Sequence, residues 1–421
     1  MNTIAGFKNV FKKIKSVRNS IILKAVGFMG GNSNNLISSF GNDVFESDIV
    51  NACIRCKARE MSKLQPRHIR ATGTKQEYVN SSINRLLKFA PNEIMTTKDF
   101  LEKCTWLYEK NYNCFIYPKY EIRQNKGKKY KYYTGFYPLN PTDVEFLEDV
   151  LGHLYIKFTF NNFETYTFRY SDIIHWRKDF SDNELMGGNS EGKAKNNILL
   201  KILDINHSLT EGLEKAVKSS LSVRGLLKVN TMMKDEDLDK ERVEFENKLK
   251  SSTSGILPID MKSDYIPINV NPTVINKDTL EFIEGKVLKF YGTSYPILKG
   301  DFTDDQYQAY YEKELEPDII ALGQAFSKTI FTEDDLDKGN EIIFYGQKLL
   351  FTNTKNKIAV ADILGNRGAL TDNQLLELFG YPPFEGGDER HMSLNFINRD
   401  IADQYQINKA RKGKEVTNNE S

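Results

Sequence analysis

The 421-residue chain has little cysteine, histidine and tryptophan: four, five and two residues respectively. So few cysteines in so long a chain exclude a disulfide-stapled secreted scaffold and are typical of a reducing, cytoplasmic setting. The formal net charge is only +1, so no overall field indicates a nucleic-acid-binding protein. The apolar stretch 21–29 is too short and too interrupted to span a bilayer. A globular protein of two or more domains is therefore expected.

Aromatic residues are abundant, with 21 tyrosines and 26 phenylalanines, which favours packed surfaces and interfaces over disorder. The charge is uneven, because residues 1–24 carry six basic side chains and no acidic one. That segment fits a mitochondrial-type presequence, an amphipathic surface helix or, as we favour, a solvated tail. Residues 30–46 are rich in Gly, Asn and Ser and predict a flexible connection. The chain after about residue 408 is polar and predicts disorder.

The first half of the chain combines helical and strand patterns. Apolar spacing predicts helices at 47–63, near 78–89 and near 98–111, the last opened by Thr96 or Thr97. Between Cys114 and Trp176 the sequence is dense in Tyr, Phe, Ile and Thr, with turn residues between short runs. This texture predicts several short antiparallel strands, and the whole segment 47–185 is predicted to form one α+β domain.

The second half contains the strongest helical pattern of the chain. One face of that helix is predicted to carry Ile198, Ile202, Ile205, Leu209, Leu213 and Val217. Later predicted elements are a strand–helix–strand unit at 225–229, 235–249 and 256–270, helices at 277–291 and 307–326, a strand at 340–352 and small helices at 357–395. Pro317 is expected to kink the second of those helices.

A short docking helix is predicted near the end of the small helices. Thr371 and Gln374 have the spacing of a capping box, in which each side chain accepts a hydrogen bond from the other residue's backbone N–H. Leu375 and Phe379 supply an apolar face, and Gly380 stands where a left-handed C-terminal residue would end the helix. Two prolines then prevent the helix from continuing.

One motif has the spacing of a phosphate-binding loop, GGNSEGKA at 187–194. The position after its lysine is Ala194, where the loop needs a Ser or Thr hydroxyl for magnesium. A polar run at 177–185 also separates the motif from the preceding apolar strand, so nothing holds its N–H groups toward a phosphate. A mobile loop is therefore favoured over an ATP site.

Three candidate metal sites have simpler explanations. Four thiols (Cys53, Cys56, Cys104 and Cys114) could hold zinc, but nine residues separate the second pair, so buried apolar cysteines are favoured. Asp235, Asp237, Asp239 and Glu246 match calcium-loop positions, but Lys240 replaces the required glycine, which favours an acidic helix start. The acidic loop Asp301, Asp304 and Asp305 is of a kind that is usually solvated. No catalytic residue, metal or cofactor is predicted.

Seven blocks, taken in order, resemble the portal proteins of tailed bacteriophages, the head–tail connector family of long-tailed phages. They are DIVNACIRCKAREMSKL (48–64), YEKNYNCFIYPKY (108–120), FYPLNPTDVEF (136–146), YSDIIHWR (170–177), VRGLLKVN (223–230), YYEKELEPDIIALGQAF (310–326) and GALTDNQLLELFGYPPFEGGD (368–388). In the last block Gln374 stands where the family has Glu, and Glu377 stands where it has Arg. Residues 291–306 lack most of the family's usual pattern and keep only Tyr295–Leu298 and Gly300.

The resemblance implies an α+β portal-type subunit that assembles into a ring. Its implied parts are a flexible basic segment at 1–46, an α/β wing domain at 47–185, stem helices at 195–224 and 277–299, a β-α-β clip at 225–270, a tunnel loop at 300–306, a kinked tunnel helix at 307–330, a wing return strand with crown helices at 340–395 and a polar tail at 396–421. The implied functional residues are Lys299, Asp301, Asp304 and Asp305 at the DNA channel, Gly225, Leu226, Leu227, Asp235 and Asp237 at the clip, and Thr371, Gln374, Leu375 and Phe379 in the crown.

The resemblance also implies the function and the partners. A ring of usually twelve copies would sit at one capsid vertex of the virion, after assembly in the host cytoplasm. Double-stranded DNA would pass through it without sequence specificity, and the terminase large subunit, a head–tail adaptor, the major capsid protein and a scaffolding protein would be its partners. Two alternatives stay open: an enzyme of nucleic-acid processing that uses the loop at 187–193 or the carboxylates at 301–305, and a structural protein of the tail or baseplate.

Overall fold

The computed structural model describes residues 24–25, 45, 47–73, 75–125, 127–222, 225–229, 234–251, 263–267, 277–346 and 354–390. The predicted tail at 396–421 and nearly all of the predicted basic segment at 1–46 lie outside these residues. Within the described ranges, no helix combines the length and the apolar character that crossing a membrane requires.

The helices are distributed along the whole chain. They are α1 (Asp48–Met61), α2 (Ser82–Lys88), α3 (Thr97–Asn111), α4 (Asn196–Ser222), α5 (Asp235–Ser251), α6 (Lys277–Phe290), α7 (Tyr295–Lys299), α8 (Asp304–Tyr310), α9 (Glu316–Ile330), α10 (Glu333–Asp337), α11 (Thr354–Asn366) and α12 (Asp372–Phe379). Helix α4 has 27 residues, which at 1.5 Å per residue corresponds to about 40 Å.

The strands form four antiparallel groups. They are β1 (Lys24–Ala25), β2 (Gln65–Thr72), β3 (Lys75–Tyr78), β4 (Asn113–Asn125), β5 (Lys128–Leu139), β6 (Asp143–Glu148), β7 (Leu154–Thr159), β8 (Thr165–Arg169), β9 (Ile174–Arg177), β10 (Gly225–Val229), β11 (Ser263–Pro267) and β12 (Asn340–Tyr345). The strand orders are β1-β6-β7-β8, β12-β2-β3, β5-β4-β9 and β10-β11. The antiparallel strands predicted between Cys114 and Trp176 are confirmed.

The main core lies between helices α3 and α9 and the sheets around them. Leu315, Leu322 and Phe326 from the C-terminal half are buried together with Phe100 and Trp176 from the N-terminal half. Strand β12 also pairs with β2, so that Ile342 lies opposite His68. The N-terminal α+β region therefore completes its core with residues more than 200 positions later in the chain.

Two elements of the first half differ from the sequence prediction. Residues 65–72 and 75–78 form strands β2 and β3, which the sequence analysis does not predict, and the helix predicted near 78–89 begins only at Ser82. Strand β2 carries buried and exposed positions without strict alternation, and its partner β12 is far away in the chain. No local pattern therefore indicated this strand.

Helix α4 lies where it was predicted but buries a different face. Leu199, Leu200 and Leu203 pack with helices α1 and α6 in a second cluster. Of the predicted stripe, Ile202 is partly buried against this cluster, whereas Ile198 is 67% exposed and Ile205 is 53% exposed. These two isoleucines are here called the exposed stripe. The face that the subunit itself buries is therefore formed mainly by the adjacent leucines, which the sequence analysis did not single out.

Pro317 interrupts the backbone hydrogen bonds of its helix as expected, and the interruption takes the form of a π-helical turn. Residues Tyr311–Leu315 form a π-helical turn between α8 and α9, and Pro317 occupies the first turn of α9. Proline has no N–H to donate to a carbonyl in the preceding turn. A widened turn directly before it accommodates that missing hydrogen bond, and such π-bulges are frequent at functional sites.

Candidate functional site

Within the candidate channel segment, Lys299–Gln306, the loop is shorter than the predicted loop at 300–306. Helix α7 ends at Gly300, which has a φ of +79°. Helix α8 begins directly after Thr303, whose side chain accepts from the N–H of Gln306 in a capping box. Asp304 and Asp305 therefore lie in the first turn of a helix, and only residues 301–303 form the loop. The missed signal was the Thr303–Gln306 spacing.

The segment presents a net negative surface that is firmly anchored. Asp301, Asp304 and Asp305 are exposed. Lys299 is their one basic neighbour within the segment, and its ammonium lies 4.7 Å from the centroid of the Tyr295 ring. Acidic residues in a first helical turn are favourable because they face the positive end of the helix dipole.

Aromatic contacts fix this segment to the body of the subunit. Phe302 stacks on Tyr307 with ring centroids 5.1 Å apart. The hydroxyl of Tyr307 donates to Glu60 of helix α1 over 2.6 Å. Burial is the main reason why the pKa of Tyr307 is raised, and the carboxylate of Glu60 raises it further, so the hydroxyl stays a donor. These contacts hold the segment in place on the subunit, so the exposed carboxylates of residues 301–305 have a fixed position.

The candidate clip contains the predicted strand–helix–strand unit. Strands β10 and β11 pair in antiparallel register, with Leu227 opposite Tyr265. Helix α5 runs between them along the chain and starts at Asp235, as the acidic helix prediction required. Asp237 is exposed and contacts Lys240 over 3.1 Å. Residues 252–262, part of the predicted second strand, lie outside the described residues, as do the side chains of Gly225, Leu226, Leu227 and Asp235.

The candidate crown helix α12 is capped as predicted. The side chain of Thr371 accepts from the N–H of Gln374, the side chain of Gln374 accepts from the N–H of Thr371, and Gly380 ends the helix with a φ of +82°. Leu375 lies against Gly365 of helix α11, while Phe379 is exposed.

After helix α12 and the two prolines that follow it, the chain folds back and contacts Asn373 of the same helix. The side chain of Asn373 accepts from the N–H of Phe384 over 2.9 Å and donates to the carbonyl of the same residue over 3.1 Å. The side-chain amide of Asn373 also donates to the carboxylate of Asp388 over 2.9 Å. The sequence analysis missed this role, because it depends on how the chain turns after the helix.

The loop with phosphate-loop spacing is closed on itself. The side chain of Asn189 accepts from the N–H groups of Glu191 and Lys193, over 3.0 and 2.9 Å. The N–H of Gly187 donates over 2.8 Å to the side chain of Asn113, which lies on strand β4. A phosphate cradle needs such N–H groups to be directed at a ligand. Here these N–H groups are bonded to the side chains of Asn189 and Asn113. The loop is therefore a connection between strand β9 and helix α4.

A buried charge network is the most extensive polar feature that the sequence analysis missed. The ammonium of Lys57 lies 2.8 Å from Glu109 and 2.7 Å from Asp318. Glu109 also contacts the ammonium of Lys178, and Tyr108 donates to Asp318 over 2.6 Å. These residues come from helices α1, α3 and α9 and from the segment after β9. The network therefore joins the two halves of the chain.

The protonation states in this network are fixed. Burial alone would lower the pKa of Lys57, but the carboxylates of Glu109 and Asp318 outweigh it and raise that pKa above its ordinary value. Burial would likewise raise the pKa of Glu109, but Lys57 and Lys178 outweigh it and lower the pKa to about 2. Both groups are therefore ionised at neutral pH, and the network is a structural clamp without a group ready to exchange protons.

Two buried histidines are held neutral by their surroundings. The ring nitrogens of His175 lie 2.9 Å from the hydroxyl of Tyr170 and 3.0 Å from the side-chain oxygen of Asn113. Burial lowers the pKa of His175 well below its ordinary value, and the nearby charges of Arg177 and Lys328 lower it further. Burial also lowers the pKa of His68, which contacts Ser81 and Asn340.

Comparison with known proteins identifies the group to which this architecture belongs. A family model described as phage portal protein matches residues 48–380. The chain belongs to the phage portal protein family. Among curated proteins it is similar to the probable portal proteins of Lactococcus phages p2 and SK1, each 27% identical over 210 residues. That alignment covers 47% of this chain and 56% of each relative, so the chain spans about half the length of these curated relatives.

Solved structures share the fold of this chain. A chain in the neck of an empty gene transfer agent particle, computed with C6 symmetry, has a TM-score of 0.56 at 12% identity. The comparison covers 82% of this chain and 94% of that one. A chain in the neck of the native particle, computed with C12 symmetry, has a TM-score of 0.55 at 13% identity and covers 81% and 92%.

Portal membership decides three of the sequence predictions. The resemblance drawn from seven short blocks is confirmed, and so is the mixed helix-and-strand fold class. Portal proteins are structural components of phage particles, which confirms the prediction that the chain is not an enzyme.

Proposed function

We propose that this chain forms a ring of identical subunits, twelve in number, at one vertex of a phage capsid. The ring would be the conduit for double-stranded DNA during packaging and ejection. Family membership over residues 48–380 supports this proposal. The fold likeness to neck chains of gene transfer agent particles, one computed with C12 symmetry, supports the ring and its location in the particle. Assembly in the host cytoplasm is part of the same proposal.

The observation that carries the proposal is the uncovered apolar stripe of helix α4. Ile198 and Ile205 lie two turns apart on one face and are largely exposed, while Leu199 and Leu203 on the adjacent face are buried. Burying an isoleucine side chain is worth about 1.5–3 kcal/mol. A neighbouring copy that covers this stripe would gain that energy at each interface, and a head-to-tail contact of this kind forms a ring when the rotation between neighbours closes.

Helix α6 repeats the same arrangement. Val287 and Leu288 are buried against helices α1 and α4 in the second cluster, whereas Phe282 is 62% exposed. Aromatic side chains are enriched at the centres of subunit interfaces. We assign Phe282 to the same inter-subunit contact, so that both stem helices would be covered by neighbours in the ring.

A conduit requires weak contact with the DNA that moves through it. Each phosphate that a basic side chain neutralises releases counterions and tightens binding. The exposed carboxylates Asp301, Asp304 and Asp305 outnumber the single basic residue Lys299 in their segment. Facing the bore, they would repel the phosphates and keep the duplex centred.

The remaining partners would bind at the two ends of the subunit. The β10–β11 pair and helix α5 would form the clip that meets the terminase large subunit and the head–tail adaptor. Helix α12, with Leu375 and Phe379, would dock within the crown inside the capsid. The major capsid protein and a scaffolding protein would surround the ring at the vertex.

Mass photometry of the purified chain tests the ring. Twelve copies of a 48.5 kDa chain give a particle of about 580 kDa, and electron microscopy would show a ring with a central opening. A trimer would instead support a structural protein of the tail or baseplate. A monomer at every micromolar concentration would contradict the portal function.

A further inference from the structure

The β4–β5 hairpin extends as a two-stranded ribbon beyond the sheet to which it belongs. Strand β4 pairs with β9 only over residues 113–116, whereas its pairing with β5 continues to Asn125. The register shifts between Lys119 and Tyr120, which marks a β-bulge. A bulge bends and twists the strands that follow it. Residues 121–125 and 127–132 beyond the bulge, here called the ribbon, therefore leave the direction of the sheet.

The ribbon concentrates positive charge in a nearly neutral protein. Residues 119–131 contain six basic residues and one acidic residue, while the whole chain has a net charge of +1. Arg123 and Lys129 are exposed. Lys129 makes no ion pair with any residue that the structure describes. The rest of the chain must then carry a net negative charge, which matches the acidic segments at 301–305 and 333–337.

Aromatic and apolar side chains alternate with these charges. The guanidinium of Arg123 lies 3.4 Å from the centroid of the Tyr132 ring and 3.2 Å from Glu121, so its orientation is fixed before any partner binds. Tyr130, directly opposite Arg123, is 45% exposed. Ile122 on the other face is 59% exposed. A ribbon whose only role was to connect strands β4 and β5 would need neither the stacked Arg123 nor the exposed Tyr130 and Ile122.

We propose that the ribbon is a second DNA-contacting element of the subunit, which binds the phosphate backbone of duplex DNA without sequence specificity. A two-stranded β-ribbon fits the major groove of B-form DNA. The proposal rests on the proposed function, since duplex DNA is the polyanion that function brings to every copy of the chain. The ribbon is positively charged and would attract DNA, whereas the carboxylates at 301–305 would repel it. The two elements therefore contact different DNA: the ribbon contacts the duplex outside the bore, and the carboxylates face the duplex within it.

Several ribbons in one ring would act together. Contacts that are weak individually gain from effective concentration when several copies meet one long duplex, by a factor of about 10² or more. Such binding depends steeply on salt, because each neutralised phosphate contributes about −0.9 to the slope of log K against log salt. The ribbon would thus hold surrounding DNA loosely and reversibly.

The test measures binding of a fluorescent mixed-sequence duplex to purified rings over a series of salt concentrations. In the double variant Arg123→Gln and Lys129→Gln, each engaged ribbon loses two phosphate contacts, so the slope should become shallower by about 1.8 for every ribbon that engages the duplex. Affinity at low salt should fall tenfold or more. The matched control, Lys98→Gln with Lys110→Gln on helix α3, removes the same charge from exposed positions outside the ribbon and should change neither quantity.

Ring mass and melting temperature, measured on the same samples, separate this proposal from the proposed function. Intact rings of the ribbon variant that bind DNA with an unchanged slope would overturn the DNA proposal and leave the ring untouched. Loss of binding to capsid protein shells with unchanged DNA binding would also overturn it, because the ribbon would then meet an acidic protein surface. A native chain that forms no ring would contradict the proposed function instead.

Discussion

Lys57 and Glu109 lie on two different helices with their charged atoms 2.8 Å apart, and both side chains are almost completely buried. Asp318 joins them from the C-terminal half of the chain. Removing one partner of a buried ion pair leaves an uncompensated charge away from water. This pair therefore explains why residues near position 318 stay attached to the N-terminal domain.

Glu109→Gln should lower the free energy of unfolding by about 3 kcal/mol, because Lys178 loses its carboxylate and Lys57 keeps only Asp318. Chemical denaturation of both proteins measures this difference. The control Glu184→Gln removes the same charge at an exposed position and should be nearly neutral. A loss under about 0.5 kcal/mol for Glu109→Gln, typical of surface substitutions, would show that the network does not join the two halves.

Stability should fall as the pH drops below about 6.5, the ordinary pKa of histidine. His68 and His175 have lowered pKa values in the folded protein, so below pH 6.5 the unfolded chain binds more protons than the folded one. That difference favours unfolding by up to about 1.4 kcal/mol per pH unit for each histidine. Glu109, with a pKa lowered to about 2, adds a separate loss only below about pH 4.5.

Denaturation of the wild type and of His175→Gln between pH 7.5 and 5.5 checks the histidine contribution. The variant should lose stability at neutral pH but should depend less on pH, because one titrating group is gone. An identical pH dependence in both proteins would contradict this account, because it would mean that the pKa of His175 is the same in the folded and the unfolded protein.

Features formed by residues close together in the sequence could be predicted, whereas features formed by distant residues could not. The capping box of Thr371–Gln374 spans three residues, and its helix begins where this pair predicted. Thr96, one of the two N-caps predicted for helix α3, likewise caps that helix. Strand β2 pairs with β12 about 270 positions away, so its own sequence gave no sign of it. The Lys57–Glu109–Asp318 network is equally non-local. Periodicity found helix α4 but could not decide which of two apolar faces the subunit itself would bury.

The candidate channel is tested by replacing Asp301, Asp304 and Asp305 with lysine. Each lysine should add a phosphate contact in every subunit, which would slow DNA packaging at low salt while ring assembly stays unchanged. The control places lysine at Glu333, Asp334 and Asp337 of helix α10, an equal change in charge at another exposed segment. Packaging at the wild-type rate by the first variant would show that residues 301–305 do not face the DNA.

The candidate clip is tested by deleting residues 231–252, which removes helix α5. Strands β10 and β11 keep their register from Gly225 opposite Pro267 to Val229 opposite Ser263, and enough chain remains to connect them. The deleted protein should still form rings but should no longer bind the terminase large subunit in a pull-down. Unchanged binding would place the motor contact elsewhere on the ring.

The central claim is that neighbouring copies cover the exposed stripe of helix α4 and thereby close a ring. Mass photometry of the wild type, of Ile198→Asp with Ile205→Asp, and of the control Thr210→Asp at an exposed position on another face of the same helix tests it most directly. We expect the wild type and the control at about 580 kDa and the stripe variant largely at 48.5 kDa, since buried unpaired carboxylates oppose the contact. Rings of full mass and unchanged stability from the stripe variant would contradict the account.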